Sequence, residues 1–228
     1  MLTKIRHTFA LVVLLTSLVM LTWGNFPNRR QSISRLIGPD AMHVPSAGSE
    51  KQPALLEVRQ VSLVWPGLMR IGDETTITVV FERTNSEILA PKSDILLVDI
   101  YQRYNLMVEG RLEAAGVRLD PANPRRESLP PGQTVTISWQ VTAQDTASHP
   151  AKVWLLLRYL PLQGGPAGEV PVYVHDLDLR AMSLFGLGGP QARLWGSVGI
   201  ILALALNYDV MIGWIKRMAT KNTKDTRG

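Results

Sequence analysis

Apolar residues fall along this chain in two arrangements: unbroken runs near its ends and alternation through its middle. The runs are Thr8 to Trp23 and Leu194 to Ile215. A helix rises about 1.5 Å per residue and needs roughly 20 residues to cross about 30 Å of hydrocarbon. The second run therefore predicts a transmembrane helix over 194–215, with Trp195 and Trp214 near its ends, where aromatic rings favour the interface. The first run is short for a crossing and follows Lys4 and Arg6 in the layout of an export signal. Residues 1–24 read as a signal anchor or as a cleaved signal peptide. Bulky Leu21 and Trp23 beside Thr22 and Gly24 make a poor cleavage site, which favours the anchor.

Between the runs the period is two. Val135, Ile137, Trp139 and Val141 alternate with Thr134, Thr136, Ser138 and Gln140, and Ile77, Val79 and Phe81 alternate with Thr76 and Thr78. That is a strand with one face in a core and one in water. Val153, Leu155, Leu157 and Tyr159 repeat it, but Trp154 and Leu156 make this strand apolar on both faces, as expected at the centre of a sheet. Leu55 to Val64, Ile95 to Tyr104, Arg111 to Leu119 and Val170 to Leu179 bring the count to about seven strands, separated by turn signals such as Pro66-Gly67, Gly72-Asp73, Pro130-Pro131-Gly132 and Gly164-Gly165-Pro166. The expected fold is all-β, an antiparallel immunoglobulin-like β-sandwich over 54–183, flanked by an N-terminal and a C-terminal transmembrane helix. Residues 25–53, rich in Arg, Ser, Gly and Pro, read as a linker or stalk with a short helix around Ser32 to Ile37. Residues 184–193 read as a juxtamembrane joint and 216–228 as a basic cytoplasmic tail.

Leu129-Pro130-Pro131-Gly132-Gln133-Thr134-Val135-Thr136, leading into Ile137-Ser138-Trp139, resembles the entry to a strand in bacterial extracytoplasmic immunoglobulin-like and fibronectin-like modules. Arg70-Ile71-Gly72-Asp73-Glu74-Thr75-Thr76-Ile77 is a fainter echo. The resemblance covers these two stretches, lacks the Cys pair of antibody domains, and implies a sandwich that binds, spaces or braces. Fold-level likeness of this kind says little about activity.

Charge fixes the expected orientation. Of 24 basic residues, Lys4, Arg6, Lys216, Arg217, Lys221, Lys224 and Arg227 lie in the two ends, while only Asp209 and Asp225 of the 19 acidic residues do. The stretch from Asn25 to Arg193 is therefore formally neutral, and the net charge of +5 belongs to the membrane-proximal ends. Basic residues beside a span stay cytoplasmic, so both ends are expected inside and the middle domain outside, although Arg29, Arg30 and Arg35 oppose this. The basic balance is a topology signal, and no nucleic-acid partner is expected. Absence of cysteine removes disulfides, thiol nucleophiles and thiolate metal sites, and with the lack of an Asn-x-Ser/Thr sequon it points to a bacterial envelope.

Few residues are spaced for chemistry. His7, His43, His149 and His175 are scattered, and no Gly-x-Ser-x-Gly elbow occurs, so no nucleophile, base and orienter assemble and no catalytic residue or cofactor is expected. Asp176 and Asp178 share a strand face and are the candidates for a hard cation such as calcium, against the plainer reading of a wet edge strand. Gly186-Leu187-Gly188-Gly189-Pro190 lacks the Lys and Ser or Thr of a phosphate loop and reads as a joint, with Leu184, Phe185 and Leu187 near the interface or a neighbour. Tyr101, Tyr104, Trp65 and Trp154 are candidates for an aromatic platform, Trp139 for the core, and Arg125-Arg126 for a solvated turn. Asn207 and Asp209 inside the second run are candidates for contact with a partner helix; Gly196 and Gly199 permit close approach without forming Gly-x-x-x-Gly. The expectation is a membrane-anchored, non-enzymatic interaction or accessory protein working through membrane proteins of its own bilayer. The alternative is an envelope ligand-binding module for polysaccharide or calcium.

Overall fold

The computed structural model describes residues 2–38, 58–84 and 100–208. In chain order the elements are α1 (Leu2–Asn25), β1 (Arg30–Ile37), β2 (Arg59–Pro66), β3 (Met69–Arg70), β4 (Glu74–Arg83), α2 (Ile100–Arg103), β5 (Tyr104–Ala114), β6 (Val117–Asp120), β7 (Arg125–Ser128), β8 (Val135–Ala143), β9 (Ser148–Pro161), β10 (Gly168–Met182) and α3 (Gly189–Leu206). They form two units, Asn28–Met182, and Met1–Pro27 with Ser183–Gly228.

The first of these units is two five-stranded sheets, in the orders β1-β2-β4-β8-β6 and β3-β10-β9-β5-β7. Every pairing is antiparallel except the two-residue β3 against β10. The alternation seen in sequence becomes one core: Ile77, Val79 and Phe81 of β4, Ile137, Trp139 and Val141 of β8, and Val153, Leu155, Leu157 and Tyr159 of β9 are all buried in a single cluster. β9 is central in its sheet, as its two apolar faces predict. The inner faces meet without slack at Gly110, where an added Cβ would lie 2.9 Å from Cδ1 of Ile137 and 3.0 Å from Cη2 of Trp139. Glycine inside a strand marks such an approach.

Several boundaries differ from expectation. Ten strands are described where about seven were expected. Arg30–Ile37, placed in a linker with a short helix, is β1, paired to β2 from Arg30↔Pro66 to Ile37↔Arg59. The β unit accordingly begins at Asn28 rather than 54. Backbone pairing and the Ser34–Ser62 hydroxyl contact across it, 3.0 Å, override a weak local pattern. The strand expected over 95–104 is instead the helical turn α2 at 100–103 followed by β5, while residues 95–99 lie outside the described residues. Arg125-Arg126, read as a turn, opens β7.

The other unit contains α1 and α3, packed against each other. Among the described residues α1 is the one helix long and apolar enough to cross a membrane, over Ile5–Asn25, a test that a signal sequence also passes. α3 starts at Gly189, five residues before the expected span, with proline in its first turn, where a missing N–H costs nothing. The rest of the run to Ile215, Asp209 and the tail lie outside the described residues. A C-terminal helix is therefore present over Gly189–Leu206, and the remainder of the expected crossing lies outside the described residues.

Candidate functional site

Three places gather candidate side chains, and the helix pair is tightly constrained. Its α1 face is Ala10, Ser17 and Gly24, buried at seven-residue intervals; its α3 face is Gly189, Ala192, Gly196 and Ala203, with Gly199 in step. Small residues repeating every three and four positions let two helix backbones close along a heptad seam. A Cβ at Gly199 would collide with Ser17 Oγ, and one at Gly196 would sit 2.8 Å from Leu21 Cγ and 3.0 Å from the Ser17 carbonyl. Ser17 Oγ is itself satisfied, donating to the Val13 carbonyl at 2.7 Å. At one end of the seam His7 Nδ1 and Asn207 Oδ1 are 2.8 Å apart; at the other, Arg193 Nη1 donates to the Gly24 carbonyl at 2.8 Å, a cation at the negative end of α1. The pair is therefore antiparallel. Its exterior is apolar and exposed: Ile5, Phe9, Val12, Leu15, Val19 on α1 and Leu194, Val198, Ile201, Leu202 on α3. Asn207, the candidate for contact with a partner helix, thus meets a helix of its own chain, and its companion Asp209 lies outside the described residues. The heptad of small residues is present in the sequence, and the expected close approach at Gly196 and Gly199 is one fragment of it, at a spacing that does not fit Gly-x-x-x-Gly.

The second place is the outer face of the β9 sheet. Glu109 on β5, 1% exposed, accepts from Arg126 Nε at 2.7 Å, Arg158 Nη1 at 3.0 Å and Arg111 Nη2 at 3.3 Å. Arg158 Nε also lies 3.5 Å from Glu169. Burial pushes the Glu109 carboxyl up, but the hydrogen bonds and charges of Arg126, Arg111 and Arg158 outweigh it and leave the group below its ordinary range. Arg126, expected in a solvated turn, is thereby a ligand of a buried carboxylate. Strand alternation could not reveal this cluster, because it joins positions 17 and 49 residues apart.

The third is an open groove of about 340 Å³ lined by Gln31, Trp65, Gly67, Asp176, Leu177, Asp178 and Arg180. Asp176 and Asp178 both face it, yet each has a cation beside it: Lys152 Nζ 3.1 Å from Asp176, and Arg180 Nε 2.9 Å from Asp178. The Ser148 hydroxyl and Arg180 hold the Asp178 carboxyl below its ordinary range. His175 points away from them and stacks on Tyr173 at 6.0 Å and tilts against Trp65 at 5.7 Å. Among the described residues no group of three or more His, Cys, Asp or Glu side chains is arranged to hold a metal. Of the expected aromatic platform only Trp65 lines the groove; Tyr101 and Tyr104 pack on the core, and Trp154 lies 5.6 Å beneath Lys152 on the outer face. His149 is buried at the start of β9 with Nε2 3.2 Å from Asp145, far along the chain from the other histidines.

Compared with known protein families and with curated proteins, the chain matches none. Among solved structures it is similar to a chain of the complex between zinc 2-glycoprotein and prolactin inducible protein from human seminal plasma, at 10% identity and a TM-score of 0.32, over 51% of this chain and 88% of that one. It is also similar to the adhesin InvE of Yersinia pseudotuberculosis, at 10% identity and a TM-score of 0.24, over 69% of this chain and 50% of that one. Likeness at this level is a weak resemblance of β architecture and carries no activity.

Proposed function

We propose that this chain is a membrane-anchored, non-enzymatic interaction or accessory protein. In this reading an immunoglobulin-like sandwich is held on the outer face of the cytoplasmic membrane by a retained two-helix hairpin, with both termini cytoplasmic, and works by contacts with proteins of the same bilayer. The observation that carries it is the helix pair: a seam of Ser17, Gly196 and Gly199 too close for side chains, inside an exterior of exposed Leu, Ile, Val and Phe. Water does not tolerate such an exterior, whereas hydrocarbon does. A cleaved signal peptide has no use for a fitted seam, so the packing favours the anchor. Purification of the tagged chain from membranes in mild detergent, followed by mass spectrometry, should recover a stoichiometric integral membrane protein. Recovery of the chain alone, or with soluble cytosolic proteins, would sink the proposal.

A second reading, an envelope module for polysaccharide or calcium, is favoured by one observation, the convergence of Trp65, Asp176, Asp178, Gln31 and Arg180 on one groove. An aromatic face beside fixed polar groups suits a sugar ring. Titration with cell-wall oligosaccharides and, separately, with calcium distinguishes the ligands. Binding abolished by Trp65→Ala would support the sugar; no binding of either would remove this reading.

A further inference from the structure

Leu184 and Leu187 form a two-residue hairpin whose backbone N–H groups exchange bonds at 3.0 and 2.9 Å. Such a turn requires positive φ at both central positions and is normally made by Asn-Gly or Gly-Gly. Here the central pair is Phe185, at φ 53°, and Gly186, at φ 78°. A bulky side chain in the left-handed region is an outlier, and strain of this kind points to a use for the residue that bears it. The ring is not used for packing. Phe185 is 82% exposed, more than any other large apolar residue described.

Its neighbourhood says what would cover it. Four residues later α3 begins, and Gly189 at that start lies against Gly24 near the end of α1, where an added Cβ would be 3.5 Å from the Gly189 carbonyl. The same end of the helix pair carries Phe26, 70% exposed, and Trp195, 57% exposed, beside Arg193. Aromatic rings with a cation at one end of an apolar helix pair are the composition of a membrane–water boundary. We infer that the Leu184–Leu187 turn is an interfacial anchor that inserts the Phe185 ring into the headgroup and acyl boundary of the outer leaflet. This rests on the reading that the α1–α3 pair crosses the bilayer. The exposed rings of Trp195, Phe26 and Phe185, on or beside helices whose exterior is itself apolar, select lipid as the occupant, and no charged side chain within the turn opposes it.

Because the chain has no cysteine, nitroxide labels can be placed singly in the full protein. The label is put on Ser183→Cys, and as a control on Leu15→Cys in mid-α1, in nanodiscs of phosphatidylcholine and phosphatidylglycerol. Power saturation then compares oxygen, which concentrates in lipid, with a water-soluble nickel chelate. The inference predicts an oxygen preference at both sites, lost at 183 and kept at 15 in the Phe185→Asn background. Asn suits positive φ, so the turn survives that change. A nickel preference at 183 with Phe185 intact, or an oxygen preference that Phe185→Asn leaves unchanged, overturns the anchor while Leu15 in lipid leaves the crossing standing. A nickel preference at Leu15 would instead overturn the crossing, and the anchor with it.

Discussion

Glu109 shows how much one residue settles when it is buried with its partners. A carboxylate at 1% exposure is stable only because three guanidiniums meet it, and removing it leaves them facing one another across the sheet. Glu109→Gln should lower unfolding stability by roughly 2 kcal/mol, in the range for hydrogen bonds to charged groups and below the figure for a fully buried pair, because the arginines retain water. The sign of the pH dependence follows from the lowered carboxyl. Its contribution is complete above the unfolded value near 4.5 and is lost as pH falls through the folded value. Urea titrations between pH 7 and pH 3 should therefore show the wild type converging on Glu109→Gln at the acid end. A difference that stays constant across that window would contradict the assignment.

Gly110 marks a close approach of the two sheets, where an added side chain would meet Ile137 and Trp139. Gly110→Val should cost about 1 to 3 kcal/mol by overpacking, read as a lower midpoint in thermal or urea unfolding. Unchanged stability would mean that the sheets are not pressed together there.

At the scale of elements, what was legible in the sequence was whatever buries one face. β4, β8 and β9 announced themselves because alternate side chains enter the core. β1, exposed at seven of eight positions, and β7, exposed throughout, did not, because an edge strand is held by backbone pairing that leaves no hydrophobic period. α1 and α3 were legible as apolar runs, whereas their mutual face carries no hydrophobic period, since it consists of the smallest residues rather than the most apolar. Asn207 stood out as a polar group deep in an apolar run; its partner His7, 200 residues away, was visible only in the fold. The seam has its own prediction. Gly196→Leu would drive a side chain into the Ser17 carbonyl and Leu21, so the helices must part. Any cross-link between α1 and α3 should then be lost in the full-length protein, while β-sheet circular dichroism stays as in wild type. A cross-link that persists would show the seam to be loose.

At the scale of the whole molecule, the proposal is a neutral β domain tied to a bilayer by two helices that recognise each other. In it α1 is kept and packs along α3 through small residues. A Cβ at Gly199 would lie 3.1 Å from the Ser17 Cβ, close to the roughly 3.5 to 4.5 Å that a disulfide spans, so a shift of a few tenths of an ångström makes the bond. Ser17→Cys with Gly199→Cys, in a chain otherwise free of cysteine, should oxidise in intact membranes to an intramolecular disulfide, with the mass of the monomer and the N-terminal helix still attached. No disulfide together with a chain that lacks its first helix would show that α1 is removed rather than kept.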